Sequence, residues 1–300
     1  MKVLITGANG FLGHYLVEQF LLKNYFVIAT GRGESRLPNH VSEQFIYQEM
    51  DFTDPFAVHD VFEKVQPDVV IHAGAISKPD ECEKNQWQAY IENVESTITL
   101  LINSEEQKSF FILISTDFIF DGESGPYKEN DHPNPVNFYG KTKLEAEEAV
   151  KEYPFSWAIV RTVLVYGKPN ADGANLLTIV KEKIGNGEEY KVFDDQVRTP
   201  TYVVDLASAI VSICEKKATG VFHVSGKDLL SPYQMACMVA DYLGLDKSLI
   251  KKINSSDFIQ PAKRPLRTGF IIDKARRELS FEPISFEEGL RKTFQVSGEL

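Results

Sequence analysis

The sequence is short of cysteine, of clustered histidine, of net positive charge and of long apolar runs, and each shortage removes a class of function. Its three cysteines, Cys82, Cys214 and Cys237, are odd in number and lack metal-ligand spacing. They read as reduced thiols of a cytosolic protein, not as a disulfide framework. The six histidines are scattered, with no acidic residues beside them at ligand spacing, so no catalytic metal is expected. Lys and Arg number 32 against 43 Asp and Glu, a net charge of −11. That balance gives no general attraction to nucleic acid or to an anionic membrane, and neither is an expected partner. No apolar run approaches the roughly 20 residues of a membrane span. The opening Met1-Lys2-Val3-Leu4-Ile5 reaches Gly7 too soon for a secretory h-region, so a cytoplasmic location is expected.

What is present is apolar material in regular alternation. With 300 residues and 43% hydrophobic content the chain can bury a large core, as one big domain or two smaller ones. Val3-Leu4-Ile5 runs into Thr6-Gly7-Ala8-Asn9-Gly10-Phe11-Leu12-Gly13, which reads as strand, tight turn and helix. Leu12, Tyr15, Leu16 and Phe20 give that helix one apolar face. Glycines in this setting let backbone N–H groups approach a pyrophosphate at the helix amino end, where unpaired donors and the dipole favour an anion. The candidate cofactor contacts here are Gly7, Asn9, Gly10, Phe11, Leu12 and Gly13.

The second strand, Phe26 to Thr30, ends in Gly31-Arg32-Gly33. An NAD site usually carries Asp or Glu near this position, whereas a guanidinium suits a 2′-phosphate, so Arg32 points to NADPH with NADH as the lesser possibility. A solvated loop arginine is the alternative. Asp51 and Phe52, after a short third strand, are further cofactor candidates, with Asp51 either on the adenine amine or capping its own turn. Val69 to His72 is a fourth strand, followed by Ala73-Gly74-Ala75, small residues that admit a ligand or a packed helix close to the backbone. One long helix is expected over 85–105, carrying Asn93. The fifth strand, Phe110 to Ile114, delivers Ser115-Thr116-Asp117, and a sixth covers Trp157 to Arg161.

Alternation of this kind implies an α/β fold, a doubly wound parallel sheet with ligand beyond the strand carboxyl ends. The dinucleotide-binding domain is expected over residues 1–165, with about 202–224 returning to it. A smaller α/β carboxyl-terminal substrate-binding lobe takes 166–201 and 225–300. Ser231-Pro232-Tyr233-Gln234 has the form of a capping box with proline at the first helical position.

Ser115 to Lys143 carries the chemistry. Tyr139 and Lys143 stand one helical turn apart, so an ammonium can sit beside a phenol and stabilise the phenolate. A solvated helix face is the ordinary meaning of such a pair, but here it follows a nucleotide turn and a strand that ends in a hydroxyl residue.

The glycine turn resembles the Thr-Gly-x-x-Gly-x-x-Gly of extended short-chain dehydrogenases/reductases, a Rossmann-type superfamily. Ser115-Thr116-Asp117-Phe118-Ile119-Phe120-Asp121-Gly122, Pro126-Tyr127-Lys128-Glu129, and Tyr139-Gly140-Lys141-Thr142-Lys143 resemble the dTDP-4-dehydrorhamnose reductase family more narrowly. Pro200-Thr201 and Arg264-Pro265 with Thr268 extend the likeness into the carboxyl lobe. Phe118 stands where that family usually has tyrosine, and Thr268 where serine is common.

The resemblance implies NADPH-dependent reduction of a 4-keto-6-deoxy nucleotide sugar, with Thr116, Tyr139 and Lys143 catalytic. Tyr139 and Lys143 would also contact the cofactor. Thr116, Asp117, Phe118 and Tyr139 would touch the substrate, and Arg198 and Arg264 are candidates for its diphosphate. It further implies a homodimer through the helices near 85–105 and 139–152. Nucleotide-sugar 4,6-dehydratases place Asp-Glu after the threonine, and Asp117-Phe118 argues against that reaction. Epimerases share the Tyr and Lys, but Arg32 and the carboxyl-lobe likeness lean away from them. The regulatory beta subunit of methionine adenosyltransferase also resembles this family, including Gly220-Val221-Phe222-His223-Val224-Ser225-Gly226 and Met235-Ala236-Cys237. A regulatory, NADP-binding protein with little turnover is therefore the competing expectation.

Overall fold

Apolar β-branched runs buried on both faces make the strands of a parallel sheet, and here they make seven. The computed structural model describes residues 1–38, 42–169, 174–258 and 260–295. The strands are β1 (Lys2–Thr6), β2 (Phe26–Gly31), β3 (Phe45–Glu49), β4 (Val69–His72), β5 (Phe110–Thr116), β6 (Trp157–Thr162), β7 (Val165–Tyr166), β8 (Tyr190–Phe193), β9 (Thr201–Tyr202), β10 (Gly220–His223) and β11 (Ile250–Ile253). The main sheet has the order β3-β2-β1-β4-β5-β6-β10, all parallel. After β3 the chain crosses back to place β4 on the other side of β1. The strand order therefore reverses between β1 and β4, where a doubly wound sheet opens a crevice for ligands.

The helices are α1 (Phe11–Leu22), α2 (Pro55–Val65), α3 (Pro79–Lys84), α4 (Gln86–Tyr90), α5 (Ser96–Gln107), α6 (Phe138–Lys151), α7 (Leu176–Gly185), α8 (Val203–Lys216), α9 (Pro232–Leu243), α10 (Asp273–Leu279) and α11 (Phe286–Phe294). Because side chains alternate along a strand, each strand feeds two cores. Val3, Ile5, Val27 and Ile71 meet Leu16, Val17 and Phe20 of α1 and Leu206, Ile210 and Ile213 of α8. Leu4, Ile28, Val70 and Phe111 meet Phe62 of α2, Leu100 of α5, and Ala146 and Val150 of α6. The sheet is thus a middle layer covered on both sides.

The second half of the chain builds a third core from α7, α9 and α11 with β8 and β11, centred on Leu177, Val180, Val239, Ile250 and Phe286. Between its pieces, α8 packs on α1 and β10 adds to the sheet beside β6. The Ser231 hydroxyl accepts from the Gln234 amide and the Gln234 side chain accepts from Ser231 in return, the capping box anticipated from sequence.

The helix anticipated over 85–105 is interrupted. α4 and α5 are joined by a π-turn, Ile91–Glu95. A π-turn leaves carbonyls off the regular ladder, and two hydroxyls take up that capacity: Ser96 donates to the Glu92 carbonyl at 2.7 Å and Thr97 to the Asn93 carbonyl at 2.9 Å. The turn carries Asn93, whose amide accepts from the Ile76 N–H at 2.9 Å. It also donates to the Ile76 carbonyl at 3.1 Å and to the Thr142 hydroxyl of α6 at 3.0 Å.

Close backbone approach makes the first turn intolerant of side chains. Gly7 has φ +67°, and a Cβ at Gly13 would fall 2.3 Å from the Gly7 carbonyl oxygen and 2.6 Å from the Ala8 Cα. Backbone cannot yield as a flexible side chain does. Gly13→Ala is expected to lower stability by ~1–3 kcal/mol, measured as a reduced urea midpoint; an unchanged midpoint would contradict the packing described.

Candidate active site

A cavity of about 580 Å³ lies at the carboxyl ends of the strands. One wall is Gly10, Phe11, Leu12, Ala73 and Ala75; another is Thr116, Tyr139 and Lys143; a third is Gln196, Arg198 and Arg264. The first wall holds the amino end of α1. Gly10 donates to the Gly7 carbonyl at 2.8 Å, and a Cβ at Gly7 would stand 2.8 Å from the Gly74 nitrogen. Phe52 is buried beneath this wall, its ring filling the place a Gly74 Cβ would take.

The other nucleotide candidates stand around the end of β2. Asn9 donates to the Tyr47 hydroxyl at 2.9 Å and the Glu34 carbonyl at 3.1 Å, and accepts from the Arg36 amide at 2.9 Å, which ties the first turn to the loop after β2. Arg32 is more than half exposed, with one guanidinium nitrogen 3.4 Å from Glu92. Asp51 accepts from the Thr53 amide at 2.9 Å and hydroxyl at 2.7 Å, so one carboxylate oxygen holds the turn before α2.

Helix α6 brings Tyr139 and Lys143 to the cavity. Its first turn is capped by Asn137, which accepts from the Gly140 amide at 2.9 Å. Tyr139 is 9% exposed and Lys143 2%. Burial pushes the Tyr139 phenol well above its ordinary range, with the Thr116 hydroxyl opposing and Asp117 adding to the rise. Burial takes Lys143 down to about 8, against Glu147 and Cys82, which hold it up. The Thr116 hydroxyl donates to Asp117 at 3.2 Å and accepts from the Phe118 amide at 3.2 Å. Phe118 packs edge-on to Tyr139, ring centres 5.7 Å apart.

The two arginines singled out for a diphosphate both line the cavity, and both have protein partners. Arg198 lies 3.3 Å from the Asp117 carboxylate and donates to the Thr268 hydroxyl at 2.7 Å, to Gln196 at 3.2 Å and to the Pro265 carbonyl at 3.3 Å. Its guanidinium also sits 5.1 Å above the Phe118 ring. Thr268 donates to the same Asp117 carboxylate. Arg264 grips Asp80 of α3 with both nitrogens, at 2.6 and 2.8 Å.

Three features escaped the sequence reading. Glu147, one turn beyond Lys143, is fully buried and bound by Arg161 and Ser115. Its spacing four residues past the lysine puts it on the same helix face, but only its contact with Arg161 sets it apart from the other acidic residues of α6. His72 is buried and shares a 2.7 Å hydrogen bond with Thr6; burial, then the Lys143 charge, lowers its pKa to about 3. Cys82 of α3 packs in one small cluster with Tyr139.

The chain matches the RmlD substrate binding domain over residues 1–298. It is 34% identical over 270 residues to methionine adenosyltransferase 2 subunit beta of Bos taurus, covering 88% of this chain and 78% of that one. The crystal structure of a dTDP-4-dehydrorhamnose reductase from Bacillus anthracis in complex with NADP superposes with a TM-score of 0.86 at 29% identity, covering 98% of each chain. A dTDP-4-dehydrorhamnose reductase ortholog from Clostridium acetobutylicum gives 0.85 at 32% identity, again over 98% of each. With a match spanning nearly the whole sequence, the chain belongs to the RmlD substrate binding domain family.

Proposed function

We propose that the protein reduces a 4-keto-6-deoxy nucleotide sugar with NADPH, most nearly dTDP-4-dehydrorhamnose to dTDP-rhamnose. The observation that carries this reading is one cavity lined both by the amino end of α1 and by the Tyr139–Lys143 face of α6. A phenol and an ammonium withdrawn from water and turned toward a nucleotide-sized space suit proton transfer better than they suit a solvated helix face.

NADPH supplies the hydride when bound. In this reading the pyrophosphate meets the backbone N–H groups at the α1 amino end, and Gly7 and Gly13 permit the close backbone packing that forms the turn. Arg32, with its exposed guanidinium, takes the 2′-phosphate. Lys143 binds the ribose nearest the reacting carbon and favours the Tyr139 phenolate that forms when the proton leaves. Tyr139 gives that proton to the carbonyl oxygen as negative charge builds on it. Thr116 turns its hydroxyl from Asp117 to the same oxygen, an interaction that strengthens toward the transition state. Burial, with Asp117 adding to it, holds the phenol protonated, which suits a donor, and the neighbouring ammonium then eases its release. Arg264 meets the substrate diphosphate by exchanging the Asp80 carboxylate for it. Arg198 keeps Asp117 and Phe118 in place beneath the sugar.

The likeness to methionine adenosyltransferase 2 subunit beta favours a second reading, a regulatory protein that binds a dinucleotide and a partner enzyme. Purified protein alone, given NADPH and dTDP-4-keto-6-deoxy-mannose, separates the two. Steady NADPH oxidation supports the reductase. No oxidation with that or any related keto sugar, together with stable co-purification of a larger enzyme, supports the regulator.

Tyr139→Phe is expected to lose ~10²–10⁴ in turnover while still binding NADPH; turnover at the parent rate would remove Tyr139 from its role. Catalytic efficiency should be higher with NADPH than with NADH, and Arg32→Ala should narrow the gap. A strong NADH preference of the parent protein would take Arg32 out of the site.

A further inference from the structure

Helix α6 presents three ionisable side chains on its buried face at steps of four residues: Tyr139, Lys143 and Glu147. The third lies beyond the cavity lining and is fully buried. Its carboxylate is saturated from the sheet. Arg161 of β6 donates from Nε at 3.0 and 3.2 Å and from Nη2 at 2.7 Å, and the Ser115 hydroxyl of β5 donates at 2.5 Å. Arg161 is held in turn, donating to the Glu129 carbonyl at 3.2 Å and lying 3.3 Å from His223 Nε2. The Phe120 ring sits 5.4 Å from its guanidinium.

This arrangement decides what Glu147 can do for Lys143. A carboxylate one turn away on the same helix face favours the charged lysine. A free carboxylate at that spacing would also swing over and pair with the ammonium directly, drawing it off the cavity. The fork from Arg161 and the hydroxyl of Ser115 prevent that. Among the described residues no carboxylate forms an ion pair with Lys143, whose side chain lines the cavity. The other groups around it cannot substitute for Glu147. Cys82 of α3 is a thiol whose own pKa burial raises to about 11. His72 at the end of β4 is held neutral, Tyr139 is a protonated phenol, and Asp117 after β5 is engaged by Arg198 and Thr268.

We propose that Glu147 is a positioning residue: locked by Arg161 and Ser115, it keeps Lys143 charged without capturing its ammonium, so the ammonium stays directed at the cavity and Tyr139. The inference deepens the proposed reduction and rests on that reading for its meaning in turnover, but it is a statement about Lys143 that can be tested with neither cofactor nor substrate.

The test is the titration of Lys143 itself. In protein labelled with ¹³C-lysine, the Lys143 Cε signal is assigned by its loss in Lys143→Met and followed with pH. It is followed in the parent, in Glu147→Gln, and in the apolar replacement Ser115→Ala/Glu147→Leu/Arg161→Met. The last variant removes both buried charges together, a change that is often neutral or stabilising, so it covers the case in which Glu147→Gln alone fails to fold. The parent midpoint is expected at about 8. The midpoint should fall by about one pH unit or more in every folded variant that lacks the Glu147 carboxylate. A parent-like midpoint in a variant with parent-like denaturant stability would overturn the proposal and leave Glu147 a structural ion-pair partner only. Turnover is measured alongside. An inactive parent defeats the proposed reduction, while the titration still decides the role of Glu147.

Discussion

The ion pair between Glu147 and Arg161 fixes how α6 seats against β5 and β6, and that seating sets where Tyr139 and Lys143 stand. Glu147 has no exposed side-chain surface and Arg161 has 2%. Two ions so fully withdrawn from water are tolerable only when their hydrogen-bonding capacity is filled, and loss of either partner leaves an uncompensated charge in the interior. Here the capacity is filled by groups from three separate segments: Ser115 on β5, the Glu129 carbonyl, and His223 on β10. The geometry tolerates little sliding or rotation of the helix. Asn93, carried on the π-turn, adds a second restraint through Thr142.

Residues of the carboxyl-terminal half reach the same place by charge. Asp117 sits directly after Thr116 and is fully buried, a setting that raises its pKa through loss of solvation, with Arg198 as the main opposing influence. Arg198 and Thr268 both belong to the carboxyl-terminal half, so the residue beside Thr116 is held by that half of the chain. Asp80 and Arg264 form a second bridge, which lowers the Asp80 pKa first through that hydrogen bond. The first bridge is buried and saturated. The second is partly exposed, at 36% for Asp80, which makes it the more readily exchanged for a ligand anion.

Much of this was legible in the sequence wherever the controlling interaction is local. The glycine turn follows from spacing between a strand and a helix. The Tyr139–Lys143 pair follows from helical period, and the cap at Ser231 from four consecutive residues. The parallel sheet follows from alternating apolar runs. What was not legible depends on distant partners. Arg198 and Arg264 read as candidates for a diphosphate, yet each has a carboxylate partner in the protein, 81 and 184 residues away in sequence. The π-turn inserts an i,i+5 step with no composition of its own, so 85–105 read as one uninterrupted helix. Glu147 sits on an otherwise charged helix surface, and only the three-dimensional position of Arg161 distinguishes it from its exposed neighbours Glu145 and Glu148.

The central claim is geometric: a phenol and an ammonium of α6 stand over the nicotinamide end of a dinucleotide whose pyrophosphate rests on the amino end of α1. A crystal structure of the NADP complex tests it most directly. The account predicts pyrophosphate density at Gly10 to Gly13, the Lys143 ammonium on the ribose nearest the nicotinamide, and the Tyr139 hydroxyl facing the ring. Dinucleotide bound elsewhere, or a Tyr139 hydroxyl directed away from the ring, would contradict it.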